Sequence, residues 1–154
     1  MQIGVISDTH NFFDPKVAEL FCGVDHILHG GDVGRSAIVY QLQAIAPVTA
    51  VLGNTDDEGL GLKYTEVIQL GGRKFLVHHI VYPHALEEKL KARIDQEQPA
   101  VVVFGHSHKP FNQMIGGTLY FNPGYAGQSR FGMDRTVAIL HCTKKDVRAE
   151  YVPL

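Results

Sequence analysis

Short apolar runs alternate with amphipathic stretches along the chain, and this alternation sets the expected elements. Residues 3–6, 25–28, 48–52, 75–77 and 101–104 are brief and rich in Val, Ile and Phe, which predicts buried strands. Residues 15–21, 36–45 and 83–97 carry helical spacing; Pro15 and Pro83 suit a first helical turn and Ser36 suits a cap. Strand–helix–strand order in the first half predicts parallel pairing through crossover helices. In the second half, residues 64–70 and 73–77 flank Gly71-Gly72 and predict a hairpin. Residues 119–121, 136–141 and 147–152 predict further strands, the last two joined by a Lys-Lys-Asp turn. The expected fold class is α/β, a four-layer αββα sandwich of two mixed sheets with helices outside. Periodicity identifies the strands but does not order the layers.

The 154 residues suit one domain, 1–154, and 45% hydrophobic against 19% charged residues predicts a folded core. A net charge of -2 and a pI near 6.5 lack the basic footprint of a nucleic-acid binder, so no stable nucleic-acid partner is expected. No apolar run is long enough to cross a membrane, and no cation precedes the first one; the expected address is the cytoplasm. Cys22 and Cys142 do not make a disulfide framework and read as reduced, mostly buried thiols.

Polar residues change the picture more than composition does. Candidate ligands stand just past the ends of five strands: Asp8 and His10, then Asp32, Asn54, His78, and His106 with His108. In α/β sheets this C-terminal edge is where ligands bind. In Asp8-Thr9-His10 and His106-Ser107-His108, residues two apart project to one side of an extended chain. Glycines 30, 31, 53 and 105 beside them read either as plain turns or as places where backbone crowds a metal. The set holds two carboxylates, four imidazoles and one amide oxygen, and no thiolate. That disfavours a structural zinc site and an all-oxygen cage, and suits Mn, Fe, Zn, Co or Ni. Seven donors are too many for one tetrahedral ion. Shared between two ions, with Asp32 bridging, they give each about four protein donors and leave room for water. Two divalent cations against two carboxylates make a positive site suited to a phosphate oxyanion, and the neutral Asn54 keeps it positive.

These residues, in the order Asp8-Thr9-His10, Gly31-Asp32, Gly53-Asn54, His78 and Gly105-His106-Ser107-His108, resemble the pattern of the calcineurin-like metallophosphoesterases. Asn122-Pro123-Gly124 resembles a segment of the small bacterial and archaeal phosphodiesterases of that group. The resemblance implies Asp8, His10, Asp32 and His108 around one metal and Asp32, Asn54, His78 and His106 around the other. It implies two divalent transition-metal ions, manganese first, and a hydroxide bridging them that attacks a small phosphate ester in line. Asp32, Asn54 and His106 are assigned to catalysis as well as to metal holding.

The chain also departs from the family pattern. Thr55 stands where many members carry a histidine that helps the leaving group, and His78-His79-Ile80 stands for H-G-H. Tyr125 replaces a common serine, so an aromatic there is expected to narrow the site or stack on a substrate ring. Beside the ligands, His29 reads as structural, His79 equally as pocket lining or core, and Asp56 as a loop residue placed to orient a neighbour of the site. His26, His84 and His141 read as ordinary. Asn11 and Arg130 are loop candidates for a phosphate contact. The alternative function is a non-catalytic scaffold of the same fold, as in a subunit of the eukaryotic retromer complex; the intact ligand set argues for the enzyme. A nuclease of this superfamily is expected to carry added DNA-binding elements. Homo-oligomers are left open.

Overall fold

A computed structural model describes residues 1–130 and 132–154. Ten strands form two five-stranded mixed sheets. In the first, β1 (Gln2–Ile6), β2 (His26–His29) and β3 (Val48–Ala50) are parallel, and β9 (Thr136–Cys142) and β10 (Val147–Pro153) add antiparallel strands beside β1, giving the order β10-β9-β1-β2-β3. In the second, β5 (Arg73–His78), β6 (Val101–Val103) and β8 (Thr118–Asn122) are parallel. β4 (Thr65–Leu70) and β7 (Phe111–Ile115) close its edges antiparallel.

Alternation along each strand sorts side chains between layers. Ile3 and Val5, Phe75 and Val77, Val101 and Val103, and Leu119 and Phe121 share one buried cluster between the sheets. Residues of opposite parity face outward. Ile6 and Ile27 pack with Val17 and Phe21 near α1 (Lys16–Leu20) and with Ile38 and Leu42 of α2 (Ser36–Gln43). Leu76 and Val102 pack with Leu90 and Ile94 of α3 (Glu88–Glu97). The layers are therefore helix, sheet, sheet, helix, as expected.

The Gly71-Gly72 hairpin forms with φ +58° and +77°, the pair of left-handed residues a two-residue type I′ turn demands. Three local expectations differ. Ser36 is the first residue inside α2 and the cap position is Arg35, which makes no side-chain cap bond. Pro83 sits in a turn closed by Ala85 N–H donating to Tyr82 O at 2.8 Å, and α3 starts at Glu88, capped by the Glu87 carboxylate accepting from Leu90 N. Proline fits that turn's second position as well as it fits a helix start. Strand β7 was not expected, since an exposed edge strand shows no apolar alternation. Gly116-Gly117 behind it, both at positive φ, is the same hairpin signal as Gly71-Gly72. Cys142 is buried and Cys22 exposed, both free. Among the described residues no helix is long and apolar enough to cross a membrane.

Candidate metal centre

The C-terminal ends of the parallel strands in both sheets meet along one edge. There the β1 loop runs beside the β2 loop, with Asp8 N donating to Gly31 O (3.0 Å), His10 N to Asp32 O (3.0 Å) and Asn11 N to Val33 O (3.1 Å). The backbone at these donors is not extended, contrary to expectation. Asp8, His10, Asp32, His106 and His108 all have φ between 45° and 67°. Left-handed backbone is uncommon away from glycine and costs about 1–3 kcal/mol per residue, so it persists where surrounding contacts enforce it. Only Asn11 and Gln98 share it among the other described non-glycine residues.

These turns bring six of the seven expected donors together. His10 Nε2 and His108 Nε2 face each other at 3.3 Å, and Asp8 Oδ1 lies 3.2 Å from His108 Nε2 and 4.0 Å from His10 Nε2. Asn54 Oδ1 lies 2.9 Å from His106 Nδ1. Asp32 Oδ2 is 3.7 Å from His10 Nε2 and turns toward the Asn54 side as well, so the two groups are contiguous. Asp8 and Asp32 form a buried floor, His10, His106 and His108 are half-buried, and Asn54 is exposed.

His78 is the donor the structure does not bring in. It shares its parity on β5 with Leu76, which faces α3, and its Nδ1 pairs with Thr65 Oγ1 at 2.8 Å. His79 continues the parity of Phe75 and Val77 toward the space between the sheets. It is buried, with Nε2 3.0 Å from Asn54 Oδ1 and 3.3 Å from Asp32 Oδ2. The signal was in the sequence: alternation carried one residue past the strand selects His79.

The chemistry of the donor set fits divalent cations. Gly30 O can only accept, so His79 Nδ1, 2.7 Å away, carries a proton. In the neutral ring the Nε2 lone pair then points at two oxygens. That arrangement calls either for a second proton or for a cation between them. Without a cation, burial opposes charging His79, but the Asp32 carboxylate and the Gly30 carbonyl outweigh it and raise its pKa. For Asp32, burial pushes upward and is overcome by His79 and by Thr55 N–H, which donates to Oδ1 at 2.9 Å; the carboxyl is held well below its usual range.

A further set of residues holds the loops. Asp56 accepts from three backbone N–H groups, Val33 (3.0 Å), Gly34 (2.7 Å) and Gly53 (2.9 Å), tying the Asp32 loop to the Asn54 loop. Asn122 Nδ2 donates to Gly105 O at 2.8 Å and its Oδ1 accepts from Gly124 N at 2.9 Å, fixing the His106 loop. Gly53 and Gly105 are required for space: a methyl group would collide with the carboxylate of Asp32 at the first and with Ser7 and Asp8 at the second. Tyr125 is buried and offers no face to a substrate ring, contrary to expectation. It is 1% exposed, its hydroxyl donates to Gln128 O, and its ring lies 4.7 Å from that of His108, so it backs the imidazoles from behind.

His29 has the structural role expected. Gly31 N–H donates to its Nδ1 (3.2 Å), so in the neutral ring Nε2 carries the proton and meets Thr9 Oγ1 at 3.0 Å; Thr9 passes a bond to Val33 O. Burial, the largest influence, pushes its pKa down to about 4. An unfolded imidazole near 6.5 takes up a proton that the folded one refuses, so between pH 6.5 and 4 the unfolded chain binds more protons. Stability falls as pH falls through that window, by about 3 kcal/mol from this residue once pH 4 is reached. His26 and His78, lowered by burial, act with the same sign, and His79 opposes them. Denaturant unfolding of chelator-treated protein between pH 7.5 and 4 should show the decline, with a shallower slope in His29→Gln. Equal slopes would contradict it.

His26 pairs with Thr49, His84 with Gln113 and His141 with Glu150, all away from the centre. The calcineurin-like phosphoesterase superfamily domain matches residues 1–145. A probable metallophosphoesterase of Methanocaldococcus jannaschii is 39% identical over 131 residues, covering 80% of this chain and 67% of that protein. A phosphodiesterase of the same organism is 26% identical over 166 residues, covering 96% and 97%. The crystal structure of Entamoeba histolytica Vps29 in complex with zinc superposes with a TM-score of 0.75 at 26% identity, covering 99% of each chain.

Proposed function

Because the chain belongs to the calcineurin-like phosphoesterase superfamily, we propose that it is a metal-dependent phosphodiesterase of small phosphate esters. Two divalent transition-metal ions, manganese first, would be held by Asp8, His10, Asp32, Asn54, His79, His106 and His108. The observation that carries this is the facing of ring nitrogens and oxygens that cannot all donate to one another: His10 Nε2 against His108 Nε2, and His79 Nε2 against Asn54 Oδ1 and Asp32 Oδ2. When bound, such ions supply Lewis-acid charge and acidify a water.

The chain's own residues supply the rest. Asp8 and Asp32 provide the only carboxylates in the set, and Asn54 adds an oxygen without charge, which leaves the loaded site positive toward a phosphate oxyanion. Asp32 is fixed by Thr55 N–H on one oxygen, leaving the other to face both donor groups. Thr55 follows Asn54 with a hydroxyl, which cannot protonate a leaving oxygen near neutral pH as imidazole can. Turnover should therefore depend steeply on the leaving group. Esters of 4-nitrophenol should react at least about a hundredfold faster than alkyl esters, and Thr55→His should narrow that gap. Comparable rates would mean that another group delivers the proton.

The reading itself is tested by supplementing chelator-treated protein with Mn2+. Hydrolysis of bis(4-nitrophenyl) phosphate and about two metal ions per chain are expected. Folded protein that turns over nothing with Mn, Fe, Zn, Ni or Co refutes it. The scaffold reading draws support from the likeness to Vps29 in complex with zinc. Bound metal therefore does not separate the two readings, and turnover does.

A further inference from the structure

A cleft of about 320 Å³ lined by His108, Met133 and Asp134 borders the donor cluster on the His108 side, and two more open on its Asn54 side, differing in size and lining. One, of about 130 Å³, ends at Gly53, Asn54 and His79 and is walled by Leu52, Tyr64, His78 and Ile80. The other, of about 320 Å³, begins at Gly105 and His106 and runs between Tyr82, Pro83, Phe104 and Phe111. They converge, because Asn54 Oδ1 in the wall of the first is 2.9 Å from His106 Nδ1 in the wall of the second.

The larger cleft has one fixed wall and one free one. Phe111 is braced by the Phe104 ring at 5.8 Å and the His84 ring at 6.5 Å. Its carbonyl accepts from the Tyr151 hydroxyl at 3.0 Å. Tyr82 opposite is 60% exposed, a large aromatic face left to solvent beside a charged centre. An apolar, aromatic-lined recess with a few polar groups at one end is the usual form of a small-molecule subsite. Lys109 stands at its rim. Among the described residues no carboxylate lies within ion-pair distance of it, as is also true of lysines 16, 89, 144 and 145.

We propose that the larger cleft is the subsite for a flat aromatic ring carried by the phosphate. The substrate class is then an asymmetric phosphodiester, with an aryl or nucleoside substituent against Tyr82 and Phe111 and a smaller substituent toward Tyr64. This rests on the phosphoesterase reading above. A monoester fills one cleft and leaves the other to water, whereas a diester places a group in each. The Lys109 ammonium, in the lining of the larger cleft, complements the single charge of the diester phosphate.

The test is binding rather than turnover, and the two phosphonates carry no ester bond to hydrolyse. Full-length 15N-labelled protein loaded with Zn2+ is titrated with phenylphosphonate, methylphosphonate, adenosine 5′-monophosphate and ribose 5-phosphate. Burying the ring should favour phenylphosphonate over methylphosphonate by about tenfold, with ring-dependent shifts at the amides of Tyr82, Lys109 and Phe111. Tyr82→Ala should bring the ratio of the two affinities to about twofold or less, and Tyr82→Phe should restore it. A nucleotide preference over ribose 5-phosphate identifies the ring as a nucleobase, and a preference confined to phenylphosphonate identifies an aryl ester. Equal affinities for the phenyl and methyl probes, or ring-dependent shifts only around Tyr64 and Ile80, overturn the subsite while leaving the phosphoesterase reading standing. Failure of every probe to bind the metal-loaded protein removes both.

Discussion

Asp32→Asn is expected to lower kcat by about a thousandfold or more and to cut bound metal from about two ions per chain to one or fewer. The side chain hardly changes shape, so the effect isolates its charge. Asp32 Oδ1 is already occupied by Thr55 N–H, and Oδ2 is the atom that faces His10 on one side and His79 on the other. An amide there either keeps the Thr55 contact and turns an NH2 group toward both cation positions, or turns a neutral oxygen toward them and loses that contact. The folded carboxyl is held well below its usual range even without metal, because the pocket is built around its anion. Metal content by plasma emission, turnover on bis(4-nitrophenyl) phosphate and a circular dichroism spectrum together check this. Wild-type turnover with a native spectrum would rule out a bridging role for Asp32.

The two adjacent histidines should separate just as sharply. His79→Ala is expected to weaken metal binding and reduce turnover by about a hundredfold, while His78→Ala keeps turnover within about threefold and costs about 1 kcal/mol of stability. His79 is buried with a proton fixed on Nδ1 by Gly30 O, and its other nitrogen is directed at Asn54 and Asp32. His78 is engaged with Thr65, its partner in the β4–β5 register, and its loss leaves that hydroxyl unpaired. Calorimetric titration of Zn2+ into the two folded apoproteins reads binding independently of turnover. The opposite pattern would return the role to His78.

That pair also marks where sequence reading stops. The donors Asp8, His10, Asp32, Asn54, His106 and His108 could be picked out because each follows an apolar strand and the glycines beside them flag close approach. The strands themselves, and the Gly71-Gly72 hairpin, were legible because burial and turn geometry leave local patterns. The edge strand Phe111–Ile115 was not, since neither face of it is deeply buried and its Asn-Gln-Met centre looks like loop. The start of α3 was misplaced for a related reason: Pro83 has the same local preference in a turn as in a first helical residue. Tyr125 could not be placed either, because nothing local says whether an aromatic beside a ligand loop lines the cleft or backs it.

By itself the sequence determined most of the segments that extend or coil, and which side chains stand at strand ends with the right donor atoms. Only the tertiary structure decided which of those atoms share a point. His10 and His108 are 98 residues apart in the chain, yet their ring nitrogens meet at 3.3 Å. The choice between His78 and His79 depended on which face of β5 looks across to the other sheet. The physical reason is that local preferences act over a few residues, whereas convergence is fixed by sheet register and by the left-handed turns at Asp8, His10, Asp32, His106 and His108, which long-range contacts hold in place.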